Sequence, residues 1–139
     1  MHDDYKAPLP DWIAILSIST RFIFEKVRGR AIKEITARLD EVEPFELIGL
    51  AIKFDVEQWL KPAYRRIVAR VTLITHAEAL KVPFPMAVML MRSREQYWKA
   101  HGTDQHTRRS SREFLDSIID SEIRVMEMEL DSNVSRGKD

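Results

Sequence analysis

Along almost the whole chain the apolar residues recur at three- and four-residue steps, and no stretch alternates in the way a half-buried strand must. That periodicity predicts helices only. One proline decides where they break. Trp59, Leu60, Ala63, Tyr64 and Ile67 form a single apolar stripe, and Pro62 falls inside it. In mid-helix it would cost about 3 kcal/mol, whereas at the first helical position its missing N–H costs almost nothing. The expected solution is a short turn over 56–60, a break, and a fresh helix from 61 to about 71. Asp55 is expected to cap the turn, with Gln58 reaching back to it. A Trp-Leu-Pro-Ala-Tyr corner holds no nucleophile and no metal ligand, so its use is packing.

The remaining elements follow from the same signals. Pro8 and Pro10 fix an extended approach, and 1–10 reads as a linker. Asp11 caps a helix carrying Trp12, Ile15, Leu16 and Ile18. A second helix, about 24–39, lines up Phe24, Val27, Ala31, Ile35 and Leu39, with Lys26, Arg28, Arg30, Lys33, Glu34 and Arg38 opposite. Gly29 inside it costs about 1 kcal/mol of helix propensity and marks a close helix crossing. Pro44 suits the first position of a helix over about 45–54, which is apolar almost all round and therefore predicted at the centre of the bundle.

Thr75-His76-Ala77-Glu78 is a capping-box pattern for a short helix that ends before Pro83. Pro85 opens the next helix, 86 to about 99, and 101–109 around Gly102 is a flexible joint. Ser110-Ser111-Arg112-Glu113 is a second capping box. It starts an amphipathic helix over 110–131 with Phe114, Leu115, Ile118, Ile119, Ile123, Met126 and Leu130 as its stripe, before a frayed tail at 132–139. The sum is an all-α chain, a compact bundle of six or seven helices with no sheet.

Composition narrows the function. At 139 residues, 45% hydrophobic and 32% charged, the chain has the balance of a folded soluble domain. Basic and acidic residues number 22 each, so the net charge is zero, which removes the general electrostatic case for nucleic acid or an anionic membrane. There is no Cys, hence no disulfide, no thiolate site and no Cys nucleophile, and a reducing compartment fits. The opening residues Met1-His2-Asp3-Asp4-Tyr5-Lys6 lack the apolar run of a signal peptide. Pro83 and Pro85 interrupt the densest apolar run, 82–91, which is too short to span a bilayer. An intracellular protein, cytoplasmic or nuclear, is expected.

Candidate chemistry is sparse. His2, His76, His101 and His106 are scattered, and Asp104 beside the last two does not complete a zinc-like set. No Gly-rich phosphate loop, nucleophile elbow or His-Glu-x-x-His is present, so no catalytic, cofactor or metal residue is assigned and no enzyme activity is expected. Lys61, Arg65, Arg66 and Arg70, then Arg92 and Arg94, then Arg108, Arg109 and Arg112 are the basic clusters on which the alternative function, a small nucleic-acid-binding helical domain, would rest. Met86, Met89 and Met91 read as core filling, and Trp12, Trp59 and Tyr64 as buried aromatics. The last helix is the best partner surface. It is expected to fold back on the bundle; otherwise its stripe is covered by another chain, as a homo-oligomer or a helix in a groove.

One stretch carries a family resemblance. Phe54-Asp55-Val56-Glu57-Gln58-Trp59-Leu60-Lys61-Pro62-Ala63-Tyr64 resembles the (Y/F)-(D/E)-V-x-x-W-L-x-P-A-Y signature of the helical region that follows the BTB/POZ domain in fungal BTB proteins. Asp11-Trp12-Ile13-Ala14-Ile15-Leu16, Phe24, Val27-Arg28 and Ala31-Ile32 are similar to an upstream run of that region, and Leu73-Ile74-Thr75 with Glu78 to a downstream one. The likeness covers roughly 11–98. Ala79 replaces the usual Gly, and Lys81-Val82-Pro83-Phe84-Pro85 replaces an L-G-L turn. The resemblance implies a BACK-like, non-catalytic scaffold or adaptor module with a protein partner, in a truncated or degenerate member that lacks the POZ fold. Recruitment of a cullin ubiquitin-ligase scaffold is therefore not implied.

Overall fold

Every regular element among the described residues is helical. The computed structural model describes residues 7–22, 25–101 and 111–136, and these form seven α-helices and two 3-10 turns with no strand. The helices are α1 Leu9–Phe22, α2 Glu25–Thr36, α3 Pro44–Lys53, α4 Leu60–Ala69, α5 His76–Ala79, α6 Phe84–His101 and α7 Ser111–Arg136. The 3-10 turns are Leu39–Glu41 and Glu57–Trp59. They divide into two compact units, Met1–Leu60 and Lys61–Asp139. Among the described residues no helix is long and apolar enough to cross a membrane.

In the first unit, α1 begins two residues ahead of Asp11. The amides of Asp11 and Trp12 donate to the Pro8 carbonyl at 3.0 and 3.3 Å, so a backbone oxygen opens the helix and Asp11 sits in its first turn, where the helix dipole favours a negative charge. Burial of Ala7 and Leu9 sets this start, and Arg38 donates to the Ala7 carbonyl at 3.1 Å. Trp12 is buried, with the Arg30 guanidinium 5.6 Å from its ring centroid. On α2, Ala31 and Ile35 are buried, but Val27 is exposed although the spacing places it on their face. Gly29 is also exposed, and a Cβ there would meet open space, so it marks no close crossing.

The helix α3 starts as its proline predicts: Pro44 is in the first turn, and the Glu43 side chain accepts from the Glu46 amide at 2.9 Å. Phe45, Leu47, Ile48 and Ala51 are buried while Ile52 and Gly49 are exposed, so burial covers most of the circumference but not all. Its end corrects the sequence reading. Asp55 does not cap the following turn, whose first residue has no side-chain cap. It closes α3 instead, at a left-handed φ of 56°. The Val56 amide donates to the Ala51 carbonyl at 2.8 Å and the Asp55 amide to Ile52 at 3.4 Å, the paired bonds of a Schellman ending. Ala51 and Val56, the residues this ending brings together, are both buried.

Trp59 follows, fully buried. Its indole N–H donates to the Thr36 hydroxyl at 2.8 Å, and that hydroxyl donates to the Ile32 carbonyl at 2.6 Å. Thr36 thus ends α2 three residues short of the expected Leu39 and supplies the acceptor that a buried indole needs. Pro62 lies third in α4 rather than first, still within the turn whose amides have no helical acceptor.

In the second unit the Thr75 capping box forms as the sequence predicts, with reciprocal bonds of 3.1 and 3.0 Å to Glu78. The helix α6 opens at Phe84, leaving Pro85 second, and the Ala87 amide donates to Pro83 at 3.0 Å. The helix α7 folds back on α6 and buries Leu115, Ile118 and Ile119. It stays helical to Arg136, five residues beyond the expected end at 131. Ser110 and the joint from 102 lie outside the described residues.

Two outcomes test this account. Asp55→Gly removes a Cβ from a left-handed position and stabilises the chain by about 0.5–1 kcal/mol in urea melts. Trp59→Ala costs about 3–5 kcal/mol, a large part of the ~5–15 kcal/mol total of a typical domain.

Candidate protein-docking surface

The second unit is organised by how α4 ends. A helix leaves its last carbonyls without partners, and here two side chains of α6 reach them. Arg94, buried, donates from Nη1 to the carbonyls of Ile67 at 2.5 Å and Arg70 at 2.8 Å. The Trp98 indole N–H donates to Val68 at 3.1 Å. Burial, and then the neighbouring Arg70 charge, pull the Arg94 guanidinium below its ordinary range. The negative end of the α4 dipole is the compensation.

Beyond this cap the chain runs through 70–75 under a second tie. Arg70 pairs with both Glu78 oxygens at 2.7 and 3.0 Å and also donates to the Thr72 and Leu73 carbonyls. The Arg70 guanidinium, followed by the bonds from Thr75, holds the Glu78 carboxyl down at about 2. Glu78 thereby serves three groups at once. In this loop Val71 and Leu73 are 81% and 79% exposed.

The helix α7 is zipped to its neighbours by matched steps of four. Arg65 donates to both Asp116 oxygens at 2.6 and 3.1 Å, and Lys61 pairs with Asp120 at 2.9 Å. The Arg65 guanidinium holds the Asp116 carboxyl below the usual range. Glu122, buried, accepts from Arg92 at 2.9 Å and from Gln96. Among the described residues no buried side-chain nitrogen or oxygen lacks a partner, and no three His, Asp or Glu side chains group as a metal site. His76 is exposed at the head of α5; His2, Asp104 and His106 lie outside the described residues.

The sequence reads Lys61, Arg65, Arg66 and Arg70, then Arg92 and Arg94, then Arg108, Arg109 and Arg112 as basic clusters. In the structure Lys61, Arg65, Arg70 and Arg92 are committed to carboxylates and Arg94 to carbonyls. Arg66 is half-buried and Arg112 exposed, and Arg108 and Arg109 lie outside the described residues. Glu122 and Asp116 escaped the sequence reading; the i,i+4 match of Lys61/Arg65 with Asp116/Asp120 was the available signal.

What the polar network leaves outside is apolar. One groove of about 220 Å³ lies between the start of α6 and the second half of α7, lined by Phe84, Val88, Val125, Met126 and Leu130, with Glu129 among its few charges. A second, about 490 Å³, lies between the 71–74 loop and Met91, Glu95 and Trp98 of α6. The methionines split accordingly, Met89 buried and Met91 half-exposed in the groove. The sequence matches no protein-family profile, no curated protein and no solved structure.

Glu78 supplies a pH test. Its folded pKa is depressed, so its stabilisation is complete above the unfolded value of about 4.5 and is lost as pH falls toward about 2. The partly solvated pair limits the effect to about 1–2 kcal/mol. Glu78→Gln should remove this part of the acid dependence, read from melts at pH 6 and pH 3 (roughly the two sides of that window).

Proposed function

We propose that the chain is a non-catalytic protein-interaction module whose docking surface is the outward side of α6 with its two flanking grooves. The observation that carries this is the exposure of Val71, Leu73, Leu80 and Phe84, all between 79% and 87%, on a unit that keeps its ion pairs for its own helices. Large contiguous apolar patches are uncommon on isolated soluble proteins and mark surfaces that another molecule covers. The likeness of 54–64 to the helical region after the POZ domain in fungal proteins supports the same reading, since such helices serve as scaffold and adaptor parts. Neither a catalytic residue nor a cofactor belongs to this function, and the cytoplasm or nucleus is its place.

Nucleic-acid binding is the weaker reading. Phosphate contacts draw on cations that can shed counterions to the solvent. Lys61, Arg65, Arg70 and Arg92 already spend theirs on carboxylates.

A photo-cross-linking residue at position 126, in the first groove, is expected to join the chain to one defined protein. Leu130→Glu abolishes the adduct, and the same probe at exposed Glu46 gives none, as read by mass spectrometry. Binding of duplex DNA at low salt that fades steeply as salt is added overturns the proposal.

A further inference from the structure

The cap on α4 leaves part of Arg94 unused. A guanidinium presents several donors in one plane. Here Nη1 gives to the carbonyls of Ile67 and Arg70, with Val68 farther off at 3.4 Å, and Nη2 reaches Val71 only at 3.5 Å. Among the described residues nothing accepts from Nε, and no carboxylate pairs with this side chain. Since every sealed side-chain nitrogen among them has a partner, this Nε–H is not sealed. Arg94 is 6% exposed and lines the second groove, so its free edge opens there. Arg65 shows what such an edge takes: its Nε and Nη2 hold the two oxygens of Asp116 at 2.6 and 3.1 Å.

The walls around that edge are apolar. Val71, Leu73, Ile74, Met91 and Trp98 form them, and the Trp98 N–H is spent on Val68, which leaves its ring as wall. At about 490 Å³ the groove falls within the roughly 300–1,000 Å³ of small-molecule sites, which are apolar clefts holding a few placed polar groups. Charge favours an anion. Arg70 is matched by Glu78, and Glu95, which also lines the groove, is 66% exposed and matched by Lys99 at 3.2 Å. Arg94 has only the end of α4, worth about half a negative charge. Part of its positive charge is left unmatched where burial makes that costly.

We infer that the second groove is a binding site for a small amphipathic carboxylate, a molecule with one acid group on an alkyl or aryl body. The acid sits on the Nε–Nη2 edge of Arg94, and the body lies against Leu73, Met91 and Trp98. A planar carboxylate suits two donors side by side, and it supplies the counter-ion that the protein itself does not. A neutral alcohol of the same length gains the walls without the edge, and acetate gains the edge without the walls. The site goes beyond the docking reading and does not need it.

Octanoate, octanol and acetate are the probes, titrated into the full chain carrying isotope-labelled arginine and followed by nuclear magnetic resonance. Octanoate is expected to saturate and to shift the Arg94 Nε–H signal. Octanol binds about tenfold more weakly or worse, because it forfeits a charge-assisted pair of hydrogen bonds, and acetate does not saturate over the same range. Replacing Arg94 would also open the end of α4, so the variant is Leu73→Glu, at a position 79% exposed. It leaves the circular dichroism unchanged and weakens octanoate about tenfold or more by setting a like charge beside the acid. Octanol that binds as tightly as octanoate overturns the inference. So does octanoate that saturates without moving the Arg94 signal, that ignores Leu73→Glu, or that fails to saturate at millimolar concentration. The probe at position 126 samples the first groove, so the docking reading and this one can each fail alone.

Discussion

The second unit depends on answering the carbonyls at the end of α4. A ten-residue helix that stops where water has little access needs donors brought to it, and Arg94 and Trp98 bring them from one face of α6. A guanidinium suits the task because it presents several donors in a plane and keeps its charge when desolvated. The dipole of α4 takes the place of a carboxylate, which leaves Glu78 for Arg70 and Glu122 for Arg92. Asp116 and Asp120 then remain for Arg65 and Lys61, and these pairs fix the register of α4, α6 and α7.

Much of this architecture was written in residue spacing. The three-and-four period gave the helical class, Pro44 the start of α3, and Thr75 with Glu78 the start of α5, because those signals act locally. Asp55 shows where local reading stops. An aspartate serves a helix start or a left-handed helix end equally well, and here the decision lay with Ala51 and Val56, which are buried when α3 ends in a Schellman turn. The limits of α1 and α2 moved for similar reasons, since a buried Leu9 and an indole seeking Thr36 outweigh the nominal caps.

The candidate surface was less legible than the fold. Arginines at helical spacing look solvated, because a backbone carbonyl that accepts from them leaves no mark in the sequence. Arg94 therefore read as part of a basic face while being the most enclosed cation of its unit among the described residues. The apolar first half of α6 concealed the opposite error. Met91 read as core, yet a helix has room for two contact faces, and only the structure separates Leu90 and Met89 from Met91.

One consequence follows from the way α4 is finished. Helices ordinarily loosen from their tips, one turn at a time, independently of what lies beside them. The tip of α4 is held by side chains rooted in another helix, so its closing turn cannot peel away while α6 stays in place. Amides near Ile67 and Val68 should therefore exchange with solvent only through openings that also release α6, making the two helices a single cooperative block rather than neighbours in contact.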